Sequence, residues 1–233
     1  MHDLAGHTPL EGATVVFDLD GTIADTSGDL IDATNAALTA EGFHRAEPGA
    51  ILSAVGYGTK AMLRSALSTT GDVVDAAQME LLAWRLVSHY EDNIAVKTRL
   101  FPGFIEAARE LALCGVKLVL CTNKREQLAL KLLSALAIRP LFDAVAGGDT
   151  FPFHKPDPRH ITELVRLAGG QLRRTIMVGD SEADVAAAKA AGIPVIAVRF
   201  GYAGAPLESL GANVVIDHFG ELNSLVKALL RFP

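Results

Sequence analysis

Val15-Val16-Phe17-Asp18-Leu19-Asp20-Gly21-Thr22 is the stretch on which the fold turns. A short apolar run ends abruptly in two carboxylates on alternate residues, followed by a glycine and a hydroxyl. Residues two apart on an extended segment share a face, so Asp18 and Asp20 are expected to point into one site as a strand ends. Two adjacent carboxylates repel each other unless a cation or a shared proton compensates. An isolated Asp-Gly pair usually marks no more than a turn. Here matching groups recur along the chain, which weakens that reading.

Outward from this stretch, short β-type runs recur at residues 13–18, 116–121, 175–179 and 194–198, with a final edge-strand candidate at 214–216. Segments with helical spacing lie between the later ones: Leu128, Leu132 and Leu136 fall on one face, as do Ile161, Leu164, Val165 and Ala168. Gly115 precedes one strand, Gly192 follows an Ala-rich helix from about Glu182, and Asp157-Pro158 reads as an N-cap with proline in the first turn. Alternating strand and helix predicts an α/β fold with a parallel sheet covered on both faces. The interval 25–93 contains no convincing strand but has helical runs at 25–41, 59–67 and 72–92, interrupted by Gly56-Tyr57-Gly58. A helical insertion directly after the first strand would lie over that strand's carboxyl end, where open α/β sheets bind ligands. The expected division is a discontinuous core, residues 1–20 and 96–233, and a helical cap, residues 21–95.

Composition narrows the function classes. The chain has 233 residues, 50% of them hydrophobic and 21% charged, ordinary values for a globular protein. A formal net charge of −6 argues against a nucleic-acid or anionic-membrane partner, either of which favours a basic patch. No apolar run approaches the roughly 20 residues needed to cross a bilayer, and residues 1–13 lack the basic start and apolar core of a signal peptide. Cys114 and Cys121 have no metal-type spacing and make no disulfide framework. The expected setting is cytoplasmic, as a monomer or small homo-oligomer with a small-molecule partner.

The later strands end in polar residues suited to the same site. Residues 118–121 run into Thr122-Asn123, a hydroxyl and an amide just before a helix, whose free N–H groups suit a phosphate or are simply capped. His154-Lys155-Pro156-Asp157-Pro158 places a lysine among prolines, where a lone lysine would ordinarily be solvated. Ile176-Met177-Val178-Gly179 ends at Asp180-Ser181-Glu182-Ala183-Asp184. Asp180 reads in isolation as an N-cap, and Asp184, four residues on, as its neighbour on a helix face.

Taken together these motifs resemble the haloacid-dehalogenase-like hydrolase superfamily. The resemblance rests on Asp-x-Asp-Gly-Thr, the strand ending in Thr-Asn, the lysine before Pro-Asp-Pro, and Gly-Asp-x-x-x-Asp, in that order over residues 15–230. Within it, Lys155-Pro156-Asp157-Pro158-Arg159-His160, Gly179-Asp180-Ser181, Phe200-Gly201-Tyr202 and Val214-Val215-Ile216-Asp217-His218-Phe219 are similar to the phosphoglycolate phosphatases. The resemblance implies a Rossmann-like core with a mobile helical cap, and a Mg²⁺-dependent phosphomonoesterase acting on a small phosphate ester.

It also implies roles. Asp18 is the expected nucleophile, forming an aspartyl-phosphate, and Asp20 the expected acid and base. The Asp18 carboxylate, the Asp20 backbone carbonyl and Asp180 are expected to hold Mg²⁺, with Asp184 beside them. Thr122, the Asn123 backbone and Lys155 are expected on the phosphoryl oxygens. Gly56, Tyr57 and Gly58, with Lys60 and Arg64 on the following helix, are expected to receive a substrate carboxylate.

Competing readings stay open at this level. A phosphomutase or phosphotransferase would share the aspartyl-phosphate but return the phosphoryl group to a sugar. A dehalogenase needs no acid for an alkoxide leaving group, and its family lacks the second Asp, which argues against it here. A non-catalytic scaffold would not need a competent residue at every motif position. Cys121 reads as a buried strand residue. The histidines form no metal pattern, and His154 and His160 read as neighbours of the site without chemistry of their own.

Overall fold

The computed structural model describes residues 10–202 and 206–230. In chain order the elements are β1 (Thr14–Phe17), β2 (Ala24–Asp25), α1 (Ser27–Ala40), α2 (Pro48–Leu52), α3 (Thr59–Thr70), α4 (Ala76–Asp92), β3 (Arg99–Leu100), α5 (Phe104–Leu113), β4 (Lys117–Cys121), α6 (Glu126–Ala135), β5 (Ala144–Ala146), α7 (Pro158–Leu167), β6 (Thr175–Gly179), α8 (Glu182–Ala190), β7 (Val195–Val198), α9 (Leu207–Leu210), β8 (Val214–Ile216) and α10 (Leu222–Leu230). Six strands form one parallel sheet in the order β5-β4-β1-β6-β7-β8. The central strands are buried on both faces, which is why they read as near-continuous apolar runs.

Within each strand the two faces feed two cores. Val15, Phe17, Leu118, Leu120, Ile176 and Val178 pack with Phe104, Ala108 and Leu111 of α5, Leu132 of α6, and Leu222 and Val226 of α10. Val16, Val119, Cys121, Met177 and Val195 point the other way, onto Ile161 and Leu164 of α7 and Val185 and Ala188 of α8. This period-two alternation makes a three-layer α/β core. The strand order reverses beside β1, so the crevice of this doubly wound sheet opens at the carboxyl end of the strand that carries Asp18.

Helices α1 to α4 lie between β2 and β3 and gather around their own apolar cluster, which includes Leu30, Leu38, Ile51, Leu63, Leu82 and Leu86 and touches the core through Leu128 of α6. The chain leaves and re-enters the core side by side. β2 pairs antiparallel with β3, Ala24 opposite Leu100 and Asp25 opposite Arg99. Buried Asp29 in the first turn of α1 accepts hydrogen bonds from Lys97 N, Thr98 N and Thr98 Oγ1, the last at 2.7 Å, and so ties the exit to the return.

Expected strand positions agree with the observed ones to within a residue or so at β1, β4, β6, β7 and β8. Other elements differ. The helix expected from residue 25 begins at Ser27, because Asp25 is paired in the two-stranded ribbon. Strand β5, helix α5 and helix α2 were not anticipated; β5 has only three residues, Ala-Val-Ala, too few to display a period. Residues 1–9, 203–205 and 231–233 of the expected core segments lie outside the described residues. Among the described residues, no helix is long and apolar enough to cross a membrane.

Candidate active site

The carboxyl ends of the strands deliver the polar side chains to one place. Asp18 follows β1 directly, its N–H bonded to Val178 O at 3.0 Å. Gly21 has φ of +81°, a conformation in which a side chain is strained, and a Cβ there would run into the Asp180 carboxylate. The chain can therefore turn away from β1 tightly enough to bring Asp180, at the end of β6, against it. Asp18, Asp180 and Asp184 each offer a carboxylate oxygen within 4.8 Å of the others, and all three are buried. Asp180 and Asp184 do not share a helix face as their spacing predicted. Ser181 is the N-cap of α8, Asp184 closes its capping box, and Asp180 stands outside the helix. The two acids converge because the turn into α8 brings them together.

Two buried lysines answer four acids. Lys155 Nζ donates to Asp18 Oδ1 at 2.8 Å and to Asp184 Oδ1 at 2.6 Å. Lys124 Nζ donates to Asp20 Oδ1 at 2.9 Å, and Thr26 Oγ1 donates to the same oxygen at 2.7 Å. Asp180 accepts from Thr22 Oγ1 at 2.9 Å and from Tyr202 N at 2.7 Å. Among the described residues, neither Asp18 Oδ2 nor Asp20 Oδ2 receives a hydrogen bond. Each acid is held by one oxygen and presents the other.

The electrostatics follow from burial with incomplete compensation. Burial pushes the Asp18 carboxyl up to about 7, with Lys155 opposing the rise and the charges of Asp184 and Asp20 adding to it. Burial, then Asp18 and Asp184, holds the Asp180 carboxyl well above the usual carboxylate range. Burial works against the charge on Lys155, yet Asp18 and Asp184 together raise its pKa; Asp20 and Tyr90 do the same for Lys124. The lysines stay cations, and the frustration falls on the acids. Cys121 is buried beside them, with its thiol pushed up by burial to about 12, which removes it as a nucleophile at neutral pH.

Thr122 and Asn123 lie where expected, between β4 and α6. The Asn123 amide does work the sequence did not suggest, donating to Gly56 O and to Lys155 O, both at 2.8 Å. It joins the β4 loop, the lysine loop and the helical insertion. Gly56 reaches that position because it lacks a side chain: a Cβ would lie 2.8 Å from Ser181 Cβ. Tyr57 Oη donates to Glu182 Oε2 at 2.9 Å. The loop Gly56–Gly58 thus rests on the acid site.

The expected cationic pair on α3 is placed otherwise. Lys60 Nζ turns to Glu80 at 2.5 Å, and both Lys60 and Arg64 are exposed. Neither lines the cavity of about 30 Å³ between insertion and core, whose walls include Asp20, Gly58, Thr59, Tyr90, Lys124 and Arg125. Residues four apart share a helix face, but here that face looks to solvent and α4. Lys124 was overlooked in the sequence, although it directly follows Thr122-Asn123. It sits over the Tyr90 ring, 4.3 Å from the centroid, so one residue of α4 covers the cation that holds Asp20. Tyr202, noted only as part of a similar run, also joins the site.

Lys155 is steadied from behind by His160, which is fully buried. His160 Nδ1 lies 3.2 Å from Lys155 N and Nε2 lies 3.1 Å from Gly147 O. Only the neutral ring protonated at Nε2 satisfies both contacts, since Nδ1 must accept. Burial, followed by the Lys155 charge, accordingly lowers the His160 pKa to about 4.

Comparison with known proteins places this geometry. The family model of the haloacid dehalogenase-like hydrolases matches residues 15–198. A phosphoglycolate phosphatase of Mesorhizobium japonicum is 44% identical over 218 residues, covering 93% of this chain and 96% of that protein. One of Caulobacter vibrioides is 41% identical, covering 90% and 89%. A crystal structure of a predicted phosphoglycolate phosphatase from Haemophilus somnus superposes with a TM-score of 0.87 at 25% identity, covering 94% of this chain and 99% of that one. With the family model spanning the first and last strands of the acid site, the chain belongs to the haloacid dehalogenase-like hydrolases.

Proposed function

We propose that this protein is a Mg²⁺-dependent phosphatase that hydrolyses 2-phosphoglycolate to glycolate and inorganic phosphate. The observation that carries the chemistry is the pair Asp18 and Asp20, two residues apart at the end of β1, each gripped by its own buried lysine through one oxygen. The relatives named phosphoglycolate phosphatase, similar over nearly their whole length, support the choice of substrate.

In this reading Asp18 Oδ2 attacks phosphorus in line and forms an aspartyl-phosphate. The bond from phosphorus to the alkoxide breaks, and Asp20 gives that oxygen a proton. Asp20 then takes a proton from water as it attacks the phosphorus, releasing phosphate and restoring the Asp18 carboxylate. Thr122, the Asn123 backbone N–H and Lys155 receive the phosphoryl oxygens, where charge is spread in the transition state. Asp18, the Asp20 carbonyl and Asp180, with Asp184 beside them, would hold Mg²⁺; three buried, crowded carboxylates answered by too few cations suit a hard divalent ion. Such an ion supplies positive charge that offsets the acids and the phosphate. Gly58 and the start of α3 at Thr59 lie along the cavity wall beside Asp20 and would meet the carboxylate.

Phosphate release from a panel of 2-phosphoglycolate, sugar phosphates, nucleotides and pyrophosphate tests the proposal. The highest kcat/KM is expected on 2-phosphoglycolate. A sugar phosphate isomerised without release of inorganic phosphate would instead establish the mutase reading.

A further inference from the structure

Tyr202 lies beyond β7 in the run Phe200-Gly201-Tyr202, far in sequence from the segment it touches. Its N–H donates to Asp180 Oδ2 at 2.7 Å. Its phenol oxygen accepts from Thr26 N at 2.6 Å and Ser27 N at 2.9 Å, and donates to Asp25 Oδ1 at 2.8 Å. The hydroxyl's hydrogen-bonding capacity is thereby filled. Burial raises the phenol's pKa well above its ordinary value, so the donor proton stays in place.

These contacts meet an unusual start to α1. Thr26 is the N-cap residue, yet its side chain makes no cap and its backbone, at φ −99° and ψ 3°, is not extended as a side-chain cap usually requires. The phenol accepts from the N–H groups of Thr26 and Ser27 and so fixes the backbone where the helix begins. The Thr26 hydroxyl, on the backbone the phenol holds, donates to Asp20 Oδ1. Close packing enforces the arrangement: a Cβ on Gly21 would lie 2.9 Å from Tyr202 Cδ2, and a Cβ on Gly201 would run into Asp180 and Gly21 O. The Tyr202 ring also packs against the apolar cluster of the helical insertion, although it belongs to the core.

We infer that Tyr202 is a positioning residue that clamps the start of the helical insertion to the acid site and, by fixing the Thr26 backbone, aims the Thr26 hydroxyl at Asp20. The inference rests on the proposed role of Asp20 as proton donor to the leaving group. Loss of the phenol leaves the Thr26 N–H without its acceptor, while the Ser27 N–H keeps Asp25 Oδ1 at 3.1 Å, and the loosened Thr26 backbone no longer holds its hydroxyl on Asp20.

The test compares 2-phosphoglycolate, an alkyl ester that needs a proton donor, with p-nitrophenyl phosphate, an aryl ester that does not. In Tyr202→Phe, kcat on the alkyl ester is expected to fall roughly 3- to 10-fold, the worth of one hydrogen bond. On the aryl ester kcat should stay within about 2-fold, and neither KM should move. Thr26→Val should reproduce this selective loss, Thr26→Ser should restore the alkyl-to-aryl ratio, and Tyr202→Phe added to Thr26→Val should cost nothing further. Asp20→Asn, run alongside, tests the acid role by itself, for it should lose far more on the alkyl ester. Equal losses on both esters in Tyr202→Phe, while Asp20→Asn remains selective, overturn the inference and leave the acid role standing. Equal losses in Asp20→Asn overturn the acid role. Additive losses in the Tyr202→Phe, Thr26→Val pair overturn the clamp in either case.

Discussion

Replacing Asp18 by Asn is expected to stabilise the metal-free protein at alkaline pH while abolishing its turnover. The Asp18 carboxyl titrates near 7 in the folded protein against 3.8 for an unperturbed aspartate, chiefly because it is buried. A folded pKa raised above the unfolded one means the stability present below the unfolded pKa is lost as pH rises through the folded pKa. Three units at about 1.36 kcal/mol each amount to roughly 4 kcal/mol, lost from the wild type between about pH 4 and pH 8. Asn carries no charge at any pH and escapes this penalty, and Lys155 retains Asp184 as a partner at 2.6 Å. Removing the charge also lowers the repulsion felt by Asp180, an effect of the same sign. Urea unfolding of both proteins in chelator at pH 5, 6.5 and 8 measures the gap. It should widen with pH toward roughly 2–4 kcal/mol, or about 4–16 °C in Tm for a chain of this size. With Mg²⁺ supplied the variant should not turn over, because an amide is a poor nucleophile. A variant less stable than wild type at pH 8, or a gap that ignores pH, would refute the account of the acid cluster.

Thorough chelation should abolish phosphate release and Mg²⁺ restore it, whereas Ca²⁺ should inhibit, since it takes more ligands at longer distances and misaligns the phosphoryl group; full activity in chelator would remove metal from the mechanism. His160, lowered to about 4 from 6.5, contributes stability that is present above pH 6.5 and lost as pH falls through 4. The stability advantage of wild type over His160→Gln should shrink by roughly 3 kcal/mol across that window, and parallel profiles in calorimetry would show that the ring is not held neutral. Lys60→Ala should change kcat/KM on 2-phosphoglycolate by less than about 2-fold, because its exposed pair with Glu80 is a weak surface contact; a loss of tenfold or more in steady-state kinetics would put Lys60 back on the substrate.

The sequence was most informative where function depends on neighbours along the chain. Asp18 and Asp20 sit two apart at the end of an apolar run, and that spacing by itself aims both at one edge. Lys155 among prolines, Thr122-Asn123 before a helix and Asp180 after Gly179 each follow a strand or open a helix, so the α/β pattern implied a common edge for them. Period-two alternation and helix punctuation located β1, β4, β6, β7 and β8 because those signals are local. Strand β5 and the ribbon of β2 with β3 escaped, being too short to show a period.

Tertiary structure decided what adjacency cannot. The sequence contains Lys124 and Asp20, but only the packing of β4 beside β1 brings the ammonium to the carboxylate 104 residues away, at 2.9 Å. It contains Lys60 and Arg64 on one helix face, but only the placement of α4 turns Lys60 to Glu80 rather than to the cavity. It contains Thr26 at a helix start, where a hydroxyl ordinarily caps, but in the fold Tyr202, 176 residues away, receives the Thr26 N–H and the hydroxyl goes to Asp20. Residue type and spacing determine what a side chain is able to do, since these act through bonds and local backbone geometry. Which partner it finds depends on strand order and on the direction each helix faces, and those are settled by burying apolar surface over the whole chain.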